Sequence, residues 1–166
     1  KTTDEKLNNK LLDISSFTRT TITQLRDTIW ALNKEQITFE DLANRLQKYI
    51  EMAKTAQEQI QFEFSNQLKN NFSLNTIQGV NCHRIVQEAI NNAIKYSAAT
   101  KVKLNINDTE KDITIQITDD GIGFNLTDIS MGNGLQNMKG RADKIKANFK
   151  IDSTPEIGTT ITLNLR

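Results

Sequence analysis

The chain has 166 residues, 37% of them hydrophobic, and its 21 Lys and Arg nearly balance 20 Asp and Glu for a net charge of +1. That is enough for one globular domain plus an extension, and the balance gives no electrostatic case for nucleic acid or for membrane contact by this fragment. No apolar run approaches the roughly 18 residues a bilayer span requires.

The first third reads as helix. Leu11, Ile14, Ile22, Leu25 and Ile29 recur at helical spacings, with a polar gap at Thr18 and a Thr-rich stretch, 18–23, that weakens intrinsic propensity. A second amphipathic stripe starts near Thr38, an N-cap candidate with Asp41 three residues on, and carries Leu42, Leu46, Tyr49 or Ile50, and Ala53. Two such stripes suggest a helical hairpin or half of a bundle. The period then changes to two at Ile60, Phe62 and Phe64. A polar connection, Ser65 to Gln78, leads to a helix over about Val80–Ser97. The single Cys82 excludes an internal disulfide and fits a reducing, cytoplasmic compartment. With only His83 beside it, it reads as a core-packed pair at the helix entry and not as a zinc site.

Val102, Leu104 and Ile106 alternate, as do Ile113, Ile115 and Ile117, around a polar turn, which is a hairpin pattern. A helix follows Gly134 with Leu135, Met138 and Ile145 inward. Two strands, Phe149–Ser153 and Thr160–Leu165, close the chain through Pro155 and Gly158. This order predicts an α+β fold, a two-layer α/β sandwich with a mixed, mostly antiparallel sheet.

On the Val80–Ser97 helix, Ile85, Val86, Ala89, Ile90, Ala93 and Ile94 fill one half, while Glu88, Asn92 and Lys95 share an arc opposite. An amide oxygen at Asn92 can ligate magnesium without adding charge beside a triphosphate. Glu88, one turn earlier, can orient or deprotonate a water or hydroxyl, and Lys95 can meet a phosphate. Five of seven glycines crowd the region that follows: Gly121, Gly123, Gly132, Gly134 and Gly140. Asp119 ends a strand ahead of Gly-Ile-Gly, so its carboxylate can accept from an exocyclic amine while the backbone comes close to a flat ligand. Gly134 opens a helix whose N–H groups suit phosphate, and Asn125–Met131 reads as a lid. Neither G-x-G-x-x-G nor a Walker A sequence is present.

Glu88-x-x-x-Asn92-x-x-Lys95-Tyr96, Asp119-x-Gly121-x-Gly123 and Gly132-x-Gly134-Leu135 resemble the N, G1 and G2 boxes of the Bergerat-fold ATPases, and Gly158-Thr159 resembles their closing Gly-Thr element. Those ATPases include gyrase, the ninety-kilodalton heat-shock chaperones, mismatch-repair ATPases and sensor histidine kinases. The upstream DTIWALN, residues 27–33, is similar to the end of the second dimerisation helix in sensor kinases that pair with helix-turn-helix response regulators. The resemblance implies ATP and Mg2+ as cofactors. It implies that Asn92 holds the metal and that Asp119, supported by Thr159, reads the adenine amine. Gly121 and Gly123 would admit the ligand, and Gly132, Gly134 and Leu135 would frame lid and phosphates. Glu88 would be the acid/base or water-orienting residue, with Lys95 or Tyr96 near the phosphates.

The pattern also departs from its relatives. Tyr96 stands where many have His, and Asp120, expected to face solvent, where Asn is frequent. The only histidine, His83, is followed by Arg84 and not by an acid. The phosphoacceptor His is therefore expected on a helix upstream of Lys1, itself not a Met. The expected division is 1–57 as a helical dimerisation segment and 58–166 as the ATP-binding catalytic domain. The expected function is γ-phosphate transfer to that His for relay to a response regulator. The expected setting is a homodimer that is cytoplasmic or the cytoplasmic part of an anchored sensor. An anti-sigma-type serine kinase and a nucleotide-insensitive scaffold are the alternatives.

Overall fold

The computed structural model describes residues 36–70, 72–127 and 133–166, and, earlier in the chain, residues 7, 8, 10, 11, 14, 15, 18, 21, 22, 25, 26, 29 and 30. The chain divides into two compact units, Lys1–Glu35 and Gln36–Arg166. In the first unit every described residue is helical. Leu7, Leu11, Ile14, Ile22, Leu25 and Ile29 are all exposed there. Thr18 folds its hydroxyl back onto the Ile14 carbonyl at 2.8 Å, the local competition that makes Thr a mediocre helix residue. Of the DTIWALN segment only Ile29 and Trp30 lie among the described residues.

The second unit begins with β1 (Ile37–Thr38) and α1 (Phe39–Ala56). Thr38 is the N-cap expected from the sequence. Its hydroxyl accepts from the Asp41 N–H, and the Asp41 carboxylate accepts from the Thr38 N–H, both at 3.1 Å. This capping box satisfies two otherwise orphaned donors. The buried stripe is Phe39, Leu42, Ala43, Leu46, Ile50 and Ala53. It packs within this unit, against α2 (Thr76–Tyr96) and β2 (Gln61–Gln67). α1 thus falls in the same compact unit as the sheet, Gln36–Arg166. An amphipathic stripe specifies that a face is buried, not what buries it.

The segment expected as one polar connection contains β3 (Ser73–Leu74), paired antiparallel with β1. It also contains the start of α2, capped by a reciprocal Asn75–Gln78 box at 2.9 and 3.0 Å. The β1–β3 pair ties the starts of α1 and α2 together. Gly79 is needed there, because a Cβ would come within 2.7 Å of Ile37 Cδ1.

The main sheet adds β4 (Lys101–Asp108), β5 (Ile113–Asp119), β6 (Asn148–Thr154) and β7 (Gly158–Leu165), with α3 (Asn133–Lys144) between β5 and β6. The strand order is β2-β4-β5-β7-β6. β2 and β4 are parallel, joined through α2, and the other three pairings are antiparallel. The mixed two-layer α+β sandwich read from the sequence is the observed architecture. Its inward rows follow from the register: Asn66, Ile106, Ile115, Leu163 and Phe149, then Phe64, Leu104, Ile117, Ile161 and Ile151. The next row is Phe62, Val102, Asp119, Thr159 and Ser153. The apolar core thus ends in three polar side chains at one edge of the same face, and the cleft lies there.

Candidate functional site

A cleft of about 500 Å³ opens between α2, the end of β5, the loop after it, and the start of α3. Its α2 wall is two columns at i, i+4 spacing: Glu88, Asn92 and Tyr96, and Ala89, Ala93 and Ser97. The two alanines, grouped with the core on sequence, are buried and also face the cleft. Their small side chains leave room for a flat ligand. Asp119, Thr159 and Ile161 form the floor, and Ile122, Gly123 and Phe124 form the side formed by the loop.

Asp119 is only 9% exposed, and its Oδ1 accepts from the Gly121 N–H at 3.0 Å. Burial pushes its carboxyl above the usual range. The Gly121 and Thr159 N–H groups oppose that, the charge of Asp120 adds to it, and the Ser97 hydroxyl, shared with the Ala93 carbonyl at 2.6 Å, opposes it. A desolvated carboxylate facing an apolar slot is suited to an amine donor, whose bond offsets part of the burial cost.

The glycines act differently from one another. Gly123 takes φ +56°, and a Cβ there would run into the Thr154 carbonyl. Gly121 does not line the cleft. It sits behind, where a Cβ would strike the Ser97 carbonyl, and it lets the loop close so that Ile122 N–H donates to Ser97 O at 2.7 Å. At the other end, Gly134 lies against the α2 wall. A Cβ would come within 2.6 Å of Glu88 Oε1 and 3.3 Å of the Asn92 amide. Glu88 and Asn92 therefore meet the N-terminal turn of α3, where backbone N–H groups favour anionic oxygen. Among the described residues no cluster of three His, Cys, Asp or Glu could hold a metal unaided.

The expected residues Glu88, Asn92, Tyr96, Asp119, Gly123, Gly134, Leu135 and Thr159 are thus brought to one cleft. Lys95 is not: it is exposed and does not line it, because the cleft-facing arc of α2 is centred on Ala89, Asn92 and Tyr96 and Lys95 falls beyond its rim. Gly132 and residues 128–131 of the expected lid lie outside the described residues. Within the lid's start, Asn125 Oδ1 accepts from the Thr127 N–H and hydroxyl at 3.2 and 2.9 Å.

Asp120 does not simply face solvent. It accepts from Thr100 N–H, Lys101 N–H and the Thr100 hydroxyl at 2.9, 2.8 and 2.7 Å, holding the α2–β4 turn in which Ala98 takes φ +52°. Burial raises its carboxyl, but those three donors outweigh it and hold it below the usual range. Ser97 and Phe124, which line the cleft, were not legible as site residues, since a serine at a helix end or an aromatic in a loop carries no spacing signal.

His83 and Cys82 are 2% and 0% exposed. His83 stands edge-on to Tyr49 of α1 at 6.3 Å between ring centres, and the Tyr49 hydroxyl donates to Asn91 Oδ1 at 2.9 Å. This pair packs α1 on α2, nearly two turns inside the helix and not at its entry.

Residues 78–166, more than half of the chain, match the family of histidine kinase-, DNA gyrase B- and HSP90-like ATPases, and the chain belongs to that family. Within it, the resemblance to sensor histidine kinases is borne out. The chain is 41% identical over 87 residues to the sensor protein VraS of Staphylococcus saprophyticus and 39% identical to that of Staphylococcus aureus. Each match covers 51% of this chain and 25% of the relative, so the chain spans about a quarter of the length of the curated relatives it matches.

Solved structures share the fold. The histidine kinase AdeS of Acinetobacter baumannii aligns with TM-score 0.66 at 18% identity, over 95% of this chain and 82% of that one. The histidine kinase domain of the Erythrobacter litoralis blue-light activated kinase aligns with TM-score 0.64 at 13% identity, over 75% and 60%. No helix among the described residues is long and apolar enough to cross a membrane.

Proposed function

We propose that this chain binds Mg-ATP in the cleft and presents the γ-phosphate to a histidine on a helix upstream of Lys1, for relay to a response regulator. The observation that carries the reading is the polarity of the cleft. A buried carboxylate at Asp119 faces an apolar slot at one end, and Glu88 and Asn92 meet the start of α3 at the other. The purine then lies against Ala89, Ala93 and Ile161 with its amine on Asp119, and the phosphates run toward Gly134.

The donor set fits magnesium. An amide oxygen at Asn92 suits an ion that keeps most of its waters and takes few ligands from the protein. When bound, the ion would offset charge on the transferring phosphoryl group. In such transfers the protein mainly positions groups and stabilises charge. Asn92 would hold the ion, Glu88 would accept the ring proton of the incoming imidazole, and the α3 N–H groups would meet phosphate oxygen.

His83 cannot be the acceptor, because a phosphoryl group cannot reach an imidazole 2% exposed. The helical segment of residues 1–57 serves in dimerisation and contains the second dimerisation helix. Six exposed apolar residues among those described in its first part support this role, since a helix with such a stripe is stabilised by a partner surface. The parent protein acts as a homodimer and pairs with a response regulator.

Equilibrium binding of Mg-ATP to wild type, Asn92→Ala and Asp119→Asn tests the site. The expected result is tight binding by wild type and a loss of at least about fivefold in each variant. Equal affinity in all three would leave a nucleotide-insensitive scaffold. Adding a separate upstream segment that carries a His-acid pair, with ATP, should place phosphate on that histidine.

A further inference from the structure

Ser153 touches no part of the cleft, yet its hydroxyl joins two of the residues that line it. On β6 it lies in the same cross-sheet row as Thr159 and Asp119. Its Oγ is 2.9 Å from the Phe124 N–H, 3.2 Å from the Gly158 carbonyl and 3.0 Å from Thr159 Oγ1. A serine hydroxyl has one proton and two acceptor lone pairs, so the network can be assigned by satisfying it. The Gly158 carbonyl can only accept, and it takes the Ser153 proton. The Phe124 N–H can only donate, and it takes one lone pair. The remaining lone pair faces Thr159, which must therefore be the donor in that contact. With its proton turned to Ser153, Thr159 offers only lone pairs to the cleft.

We infer that Ser153 is a specificity-determining positioning residue that fixes the Thr159 hydroxyl as an acceptor beside Asp119, so that this end of the cleft accepts a 6-amino purine and rejects a 6-oxo purine. The inference rests on the proposed nucleotide site. Two acceptors side by side repel the O6 of hypoxanthine. Without Ser153, the Thr159 hydroxyl rotates and can donate to that oxygen. The same hydroxyl holds the Phe124 N–H, so the loop after β5 and the purine-reading edge are set by one atom.

The test is binding of Mg-ATP and Mg-ITP to the chain as it stands, with thermal melting recorded alongside. Wild type should prefer ATP. In Ser153→Ala the ATP-over-ITP ratio should fall by roughly five- to tenfold, the effect of one misdirected hydrogen bond, whereas Ser153→Thr, which keeps the hydroxyl, should retain it. In a Thr159→Val background Ser153→Ala should change the ratio no further, as expected for a residue acting through Thr159. A ratio within about twofold of wild type in Ser153→Ala would overturn the inference, whatever happens to its melting temperature. So would an equal loss in Ser153→Thr, or a full effect persisting in the valine background. If wild type binds neither nucleotide, the proposed function itself fails and this inference falls with it.

Discussion

Replacing Asp119 by Asn changes two measurable quantities in opposite senses. The carboxylate is 9% exposed and its pKa is raised, mainly by burial, so its charge is a cost to the folded state that a bound amine offsets. A hydrogen bond to a charged acceptor contributes about 1.5–3 kcal/mol and a neutral one about 0.5–1.5. Asp119→Asn should therefore lose about 1–2 kcal/mol of ATP binding, roughly 5- to 30-fold in Kd. Purine riboside triphosphate, which lacks the amine, should lose far less.

Stability responds with the reverse sign. A raised folded pKa means that the folded state holds the proton more tightly than the unfolded chain. Wild type therefore gains stability as pH falls from above the folded value toward the ordinary carboxylate range, and loses it as pH rises through the folded value. The amide never ionises. The melting temperature of Asp119→Asn minus that of wild type should thus be more positive at pH 7.5 than at pH 4, whatever constant offset the amide introduces. Calorimetric melting over that range, with nucleotide titrations at pH 7.5, supplies both numbers. A difference that grows on acidification, or equal ATP affinity in the two proteins, would refute the reasoning.

Asp120, the next residue, should behave in the opposite way. Its depressed pKa contributes stability that is present above the ordinary carboxylate range and lost as pH falls through its lower folded value, so Asp120→Ala should lower the melting temperature at pH 7 and lose that deficit in strong acid. Gly123→Ala forces a side chain into φ +56° and against the Thr154 carbonyl. It should cost at least about 1–2 kcal/mol by differential melting and weaken ATP binding with it. The Cys82 thiol, fully buried and pushed up to about 12 by desolvation, should resist iodoacetamide at pH 8 in the native protein and react promptly in denaturant. Native labelling at a free-thiol rate would contradict its packing.

Much of this fold can be read from period alone. Ile113, Ile115 and Ile117 alternate because one face of β5 meets helices and the other meets water, and the Thr38–Asp41 box marks the start of α1 by local chemistry. Other features are non-local. Nothing in α1 distinguishes packing on α2 and β2 from packing in a bundle. The parallel β2–β4 pairing and the two-residue β1–β3 ladder depend on distant partners.

At the site, Asn92, Asp119 and the glycines stood out by type and order. Lys95 shared a wheel arc with Glu88, but a wheel gives the direction of a side chain and not the position of the facing element. Gly121 was read as opening space for ligand and instead lets the loop pack on Ser97. Ser153 could be found only from the register that aligns it with Thr159.

The most direct test is a crystal structure of the chain grown with magnesium and a non-hydrolysable ATP analogue. The expected density has the adenine amine within hydrogen-bonding distance of Asp119, and a hydrated ion on Asn92 beside the start of α3. An adenine bound elsewhere, or phosphates lying toward Asp119, would contradict it.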